Sequence, residues 1–220
     1  MTTIPSAASD RLADRRALLP ARPAAFRVGL VIAAAFALGG LTSLGQAVLP
    51  AEVASLANSA SGWAVPTAAL VLLSARGYVE AAVGAALGFV AMTVGYAVVS
   101  GWRGFPYDPT DWAIVGLLAG PVVGVAAHAL RRGPMPSAVG AGLLAGILVG
   151  EGVYGLTVIA ATTSPVYWWA VIGLGAALVL ATAVRLRAVR SVLVLVLVTA
   201  VVAAGFLLAY TALPLVFVAL

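Results

Sequence analysis

The sequence predicts an all-α, polytopic bundle of about seven transmembrane helices, and three observations carry that prediction. Of 220 residues, 63% are hydrophobic and only 9% are charged, whereas a soluble domain carries about 25% charged residues. Mean hydropathy is correspondingly high, at +1.13. The apolar residues gather in runs of about 20, the length a helix needs to cross a ~30 Å hydrocarbon core. Seven such runs use up the chain, so no sizeable soluble domain accompanies residues 28–220.

Residues 1–27 read as a basic cytoplasmic arm. Ser9 is placed to cap a short helix ending at Pro20, with Arg11, Arg15, Arg16, Arg22 and Arg27 against anionic headgroups. The first span, 28–49, exceeds the ~7–15-residue apolar core of a signal peptide and is read as uncleaved. The second is awkward, because 64–75 alone makes only about 18 Å of helix. Starting it at 58 makes it long enough but carries Asn58, Ser59, Ser61 and Pro66 to membrane depth. The third and fourth spans are 79–100 and 112–130, and Pro121 should kink the latter by freeing the Leu117 carbonyl. The fifth is 137–162, interrupted by Glu151, the sixth 167–184, and the seventh 191–213, followed by Pro214 and an apolar tail.

Charge orients the bundle. With the N-terminus in the cytoplasm and the C-terminus outside, eleven of the twelve arginines fall on the cytoplasmic side, and Arg103 alone falls outside. Trp63, Trp102, Trp112, Trp168 and Trp169 then lie at outer helix ends, as an aromatic belt. The pI near 10.2 does not point to nucleic acid, because the basic residues sit between apolar runs rather than on one polar surface. Cysteine is absent and there is one histidine, so neither disulfides nor a metal site are expected. No Gly-x-Ser-x-Gly, paired acids or phosphate loop appears, which argues against an enzyme, and no cofactor is implied.

A hairpin repeat is expected. Arg76-Gly77 followed by Ala-Val-Gly-Ala at 82–85 recurs as Arg132-Gly133 and Ala-Val-Gly-Ala at 138–141. Spans 2–3 and 4–5 would then be parallel copies, with 6–7 a diverged third. Gly84 and Gly88, Gly116, Gly120 and Gly124, and Gly142, Gly146 and Gly150 form small-residue stripes. These predict spans 3, 4 and 5 as the tight centre and span 7, with Gly205 alone, as a peripheral helix facing lipid.

Glu151 is the most informative residue. It falls about 21 Å along span 5, where an acid costs about 2.5–3.5 kcal/mol to insert, so it should face the interior and be paired, protonated or wetted. The functional reading is a proton carrier or ligand contact; the plainer reading is a hydrogen bond to a neighbouring helix. Gln46, Asn58, Trp63, Thr93, Tyr96 and Tyr154 fall in the same outer half. Glu151 and Asn58, with Gln46, Tyr96, Tyr154 and Trp63, are therefore the candidate lining of an outward-facing ligand pocket. Free backbone donors at a helix N-terminus in 58–63 would add to it. Three further residues are read structurally: His128 beside Arg131, Glu80 near Arg76 at a positive helix end, and Asp111 as an N-cap.

At 41–46 (Leu-Thr-Ser-Leu-Gly-Gln), 56–63 (Leu-Ala-Asn-Ser-Ala-Ser-Gly-Trp), Gly120-Pro121 and Glu151, the chain resembles an uncharacterised family. That family comprises small actinobacterial multi-span membrane proteins with a domain of unknown function. The resemblance spans most of 28–160 and implies a bacterial plasma-membrane protein without lending a mechanism. In plan alone the chain is also similar to the substrate-binding membrane subunits of energy-coupling-factor vitamin transporters, which usually have six spans.

The expectation is a small-molecule transporter or its membrane-embedded binding subunit. The alternative is a non-catalytic scaffold or accessory protein, in which Glu151 holds helices together and the glycine stripes serve contacts within a homo-oligomer or with a membrane-protein partner. The expected surroundings are the lipid bilayer and a small-molecule ligand, without nucleic acid.

Overall fold

The computed structural model describes residues 23–219, with side chains through residue 212. The short helix expected at 9–19 and four of the arm's arginines, Arg11, Arg15, Arg16 and Arg22, lie outside the described residues. The rest is helical: α1 (Ala24–Val48), a single 3-10 turn (Ala54–Asn58), α2 (Ala60–Ser74), α3 (Tyr78–Trp102), α4 (Thr110–Ala129), α5 (Pro134–Thr157), α6 (Pro165–Leu186) and α7 (Val189–Ala219). Six of these helices are long and apolar enough to cross a membrane, and α2 is not. By length and composition the protein is a multi-pass membrane bundle. The second span therefore departs from expectation: Asn58 lies in the 3-10 turn, and α2, with 15 residues, extends only about 22 Å. Two other boundaries move. α5 stops at Thr157, ahead of a turn in which Thr163 Oγ1 bonds the Ile159 carbonyl at 2.9 Å. α7 continues through Pro214 to Ala219, as apolar spans tolerate.

Two pairs of parallel helices frame the molecule. α1 and α3 are tied at one end by Arg27, whose Nε and Nη2 donate to Glu80 Oε1 and Oε2 at 2.6 and 2.7 Å. At the other end the Ser43 and Ser100 hydroxyls meet at 2.9 Å. Arg27 thus belongs to α1 and an ion pair, not to a headgroup-binding arm. Glu80 accepts that side chain as well as the Arg76 backbone N–H at 3.1 Å. Between the two ends only glycine fits: a Cβ on Gly39 would lie 1.9 Å from the Met92 carbonyl oxygen, and one on Gly95 2.0 Å from that of Phe36.

The second pair is α5 and α7, where Gly142, Gly146 and Gly150 receive Val198, Val202 and Ala203. This corrects the expected centre. Gly116, Gly120 and Gly124 do pack on Phe89, Ala86 and Ala81 of α3, but the stripe of α5 turns to α7 instead of α4. α7 is accordingly fastened along that seam and largely exposed on its other faces, with Gly205 facing open space.

The repeat is visible in the helix starts. α3, α5 and α7 begin at Tyr78, Pro134 and Val189, and α4 and α6 at Thr110 and Pro165, at near-equal intervals. At the arginine-rich end, Arg132 Nη2 donates to the Arg76 carbonyl at 3.2 Å, and Arg185 Nη2 to the Leu130 carbonyl at 2.8 Å. Each cation thereby closes the C-terminus of a preceding helix, where the macrodipole favours positive charge. Buried His128 is approached by Arg132 instead of Arg131, the Arg132 Nε donating to its Nε2 at 3.1 Å. At the opposite end, Asp108 and not Asp111 bonds the start of α4, its Oδ1 accepting the Thr110 N–H at 2.9 Å.

Candidate functional site: an aromatic cavity beside a shortened helix

The site begins with the backbone of α2. The first N–H groups of any helix lack intrahelical partners, and those of α2 lie inside the bundle, away from its ends. Glu151 on α5, 1% exposed, sits about 9 Å below the last residue of its helix. Its Oε1 accepts the Ala60 N–H at 2.5 Å and its Oε2 the Ser61 N–H at 2.7 Å. Ser59 Oγ accepts the next N–H, that of Gly62, at 2.9 Å. Tyr167 of α6 places its hydroxyl 2.6 Å from Ser59 Oγ and 3.0 Å from Ser61 Oγ. Both carboxyl oxygens accept from the backbone at the positive end of the α2 macrodipole. The backbone donors expected to be free for a ligand in 58–63 are therefore taken. Glu151 faces the interior as expected, but its partner is the main chain of α2.

Because α2 starts late, a cavity of about 620 Å³ opens beside its N-terminus, within the range of ligand pockets. Gln46 ends α1 above it, Asn58 and Ser59 come from the 3-10 turn, and Trp63 from the first turn of α2. Phe89 and Tyr96 line it from α3, Tyr107 from the α3–α4 loop, Trp112 from α4, and Phe206 and Tyr210 from α7. Four of the six expected site residues thus meet here: Gln46, Asn58, Trp63 and Tyr96. Glu151 and Tyr154 do not line it. Glu151 lies behind the wall at Ala60, and Tyr154 backs Tyr210 edge-on, with ring centroids 5.0 Å apart. Thr93 is buried and bonded to the Val90 carbonyl within its own helix.

The rings form two groups. On one side Tyr96 meets Trp63 at 6.0 Å and Tyr107 at 5.0 Å. On the other Tyr210 stacks on Phe206 at 4.9 Å and meets Trp112 at 6.3 Å. Trp102 and Trp169 are exposed, as members of a belt would be, whereas Trp63 and Trp112 turn to the cavity. Trp168 is buried on α6 and donates its indole N–H to Thr163 Oγ1 at 2.8 Å.

Among the described residues, none that lines the cavity carries a formal charge, although Asp108 and Asp111 stand close enough to Tyr107 to act on it. The polar groups of the lining are neutral amides and hydroxyls. Tyr96 donates to Gln46 Oε1 at 2.7 Å, and the side chains of Gln46 and Asn58 are both exposed. Burial pushes the Tyr107 phenol up to about 12, with Tyr96, Asp111 and Asp108 adding to the effect, so it stays a neutral hydroxyl. Sequence reasoning missed Tyr107, Trp112, Phe206 and Tyr210 as lining. The one available signal was Tyr210, a polar ring in a seventh span otherwise nearly free of polar groups.

No curated protein and no solved structure matches the chain. One family model does, over residues 19–215, a wider stretch than the motifs at 41–46, 56–63 and Glu151 suggested. The chain belongs to that family, DUF6518, a family of unknown function.

Proposed function

We propose that the protein is a non-catalytic, membrane-embedded receptor for a small molecule: a transporter or the substrate-binding subunit of one. The observation that carries this reading is the 620 Å³ cavity, with its aromatic lining and the exposed amides of Asn58 and Gln46 beside it. A bundle packed only for stability fills such a space or dries its walls. The arginine distribution supports a cytoplasmic N-terminus, and in this reading the cavity lies in the outer half of a bacterial plasma membrane. In this reading Glu151 is a positioning residue that holds the wall at Ala60 and Ser61.

Native mass spectrometry of the purified protein beside Ala119→Phe tests the proposal, because Ala119 lines the cavity and a phenyl group there would fill it. A non-lipid small molecule retained by the wild type and lost from an equally folded variant is the expected result. Lipid and detergent alone in both forms would overturn it. The scaffold reading, supported by the open apolar face of α7, would then replace it.

A further inference from the structure

We infer that the cavity selects a small organic cation whose charge sits on a fully alkylated nitrogen, the trimethylammonium pattern. This rests on the reading that the cavity is a binding site and names the class that it takes. The sign of the charge comes first. Among the described residues the wall holds no basic side chain, and acids flank it: Asp108 follows lining Tyr107, and Asp111 precedes lining Trp112. Both act on the Tyr107 phenol. Asp108 is exposed, and Thr110 favours its ionised form by donating its N–H and its hydroxyl to Oδ1 at 2.9 and 2.6 Å. Arg103, in the same segment between α3 and α4, donates to the Ser43 carbonyl, and its guanidinium lies 5.5 Å from the centroid of the Phe105 ring. An anion entering here would pass two carboxylates and find no cation in the wall.

The kind of cation follows from the wall itself. Trp63, Tyr96 and Tyr107 stand on one side, and Trp112, Phe206 and Tyr210 on the other. Tyr96 meets Tyr107 at 81° and Trp63 at 47°, so neither contact stacks ring on ring and covers both faces. The face of an aromatic ring attracts a cation through its quadrupole, most strongly where water is excluded. A metal ion or a primary ammonium holds its water tightly and needs several oxygen ligands in exchange, but no carboxylate lines the wall. A trimethylammonium group is weakly hydrated, donates no hydrogen bond and offers only methyl groups to the rings. At 620 Å³ the space takes such a group together with a substituent. A free cation fits better than a phosphocholine headgroup of a lipid, whose phosphate would face the same two acids.

Ligand-observed saturation-transfer NMR on the intact protein in a maltoside detergent tests the inference with four probes. They are choline, its uncharged carbon isostere 3,3-dimethylbutan-1-ol, ethanolamine and phosphocholine. Choline should bind about tenfold or more tighter than each of the others. Trp112→Leu, which takes a ring from the wall, should weaken choline about tenfold. Tyr107→Leu is the second variant, should Trp112→Leu not fold. Asp108→Asn combined with Asp111→Asn should weaken choline about threefold at low salt and less at high salt, where exposed charges are screened. Equal binding of any other probe, or indifference of choline to the ring substitutions and to the acid pair, overturns the ligand class. A signal removed by Ala119→Phe would in that case still mark the cavity as a binding site. If no probe gives such a signal the class falls as well, and the native mass spectra alone then decide the receptor reading.

Discussion

α2 and α6 lie between parallel partners in the two halves of the bundle, yet they begin differently. α6 has 22 residues and starts with Pro165 after Ser164, whose hydroxyl accepts the Val166 N–H at a long 3.3 Å. Such a start, near the end of the bundle, needs little help. α2 has 15 residues and starts in the interior, with Glu151, Ser59 and Tyr167 converging on its first turn. The lesson is that a helix can be cut short inside a membrane protein only where its orphan donors are satisfied from elsewhere in the fold. The space that a full-length α2 would have filled is then left as the cavity. The acid that looks like a site residue in the sequence is, on this comparison, what makes the site geometrically stable.

The largest way to break the comparison is Glu151→Leu. It leaves the Ala60 and Ser61 N–H groups without acceptors, each costing about 1–3 kcal/mol when buried. A loss of several kcal/mol in unfolding by denaturing detergent, followed by circular dichroism, is expected. Glu151→Gln should recover part of it by restoring one acceptor. An unchanged midpoint for Glu151→Leu would mean that α2 does not depend on this cap. A smaller effect is expected from Tyr167→Phe, which removes the hydroxyl shared with Ser59 and Ser61 and keeps the ring in its cluster with Trp168 and Val171. Here the cost should be about 0.5–1.5 kcal/mol per bond lost, read in the same titration.

The subtlest test sets two equivalent caps side by side. Removing an N-cap hydroxyl costs about 0.5–2 kcal/mol. Ser59→Ala should fall at the upper end, because its bond to Gly62 is buried at 2.9 Å, and Ser164→Ala at the lower end. Equal effects at the two positions would show that the depth of the α2 start carries no energetic weight.

Periodicity and charge made the all-helical class, the approximate spans and the hairpin repeat readable in the sequence. They also made Glu151 readable as interior-facing, because an ionisable group at that depth has few alternatives. What escaped was which partner it meets. The stripe of α5 could have met α4 or α7, and nothing local distinguishes a glycine that receives Ala81 from one that receives Val198. Tyr107, Phe206 and Tyr210 were missed for the same reason: they reach the cavity from a loop and a distant helix, and only helix rotation brings them to Trp112 and Tyr96.

By itself, then, the sequence determined that the chain is a bundle of apolar helices with basic turns, since burial of apolar residues and placement of charge are properties of each segment alone. The tertiary structure decided that the second helix is cut short, that Glu151 caps it, and that Asn58 and Gln46 face a ring-lined cavity. Those facts depend on pairings between residues some 90 positions apart. The identity of such partners is set by close backbone approach at glycines, which no single segment encodes.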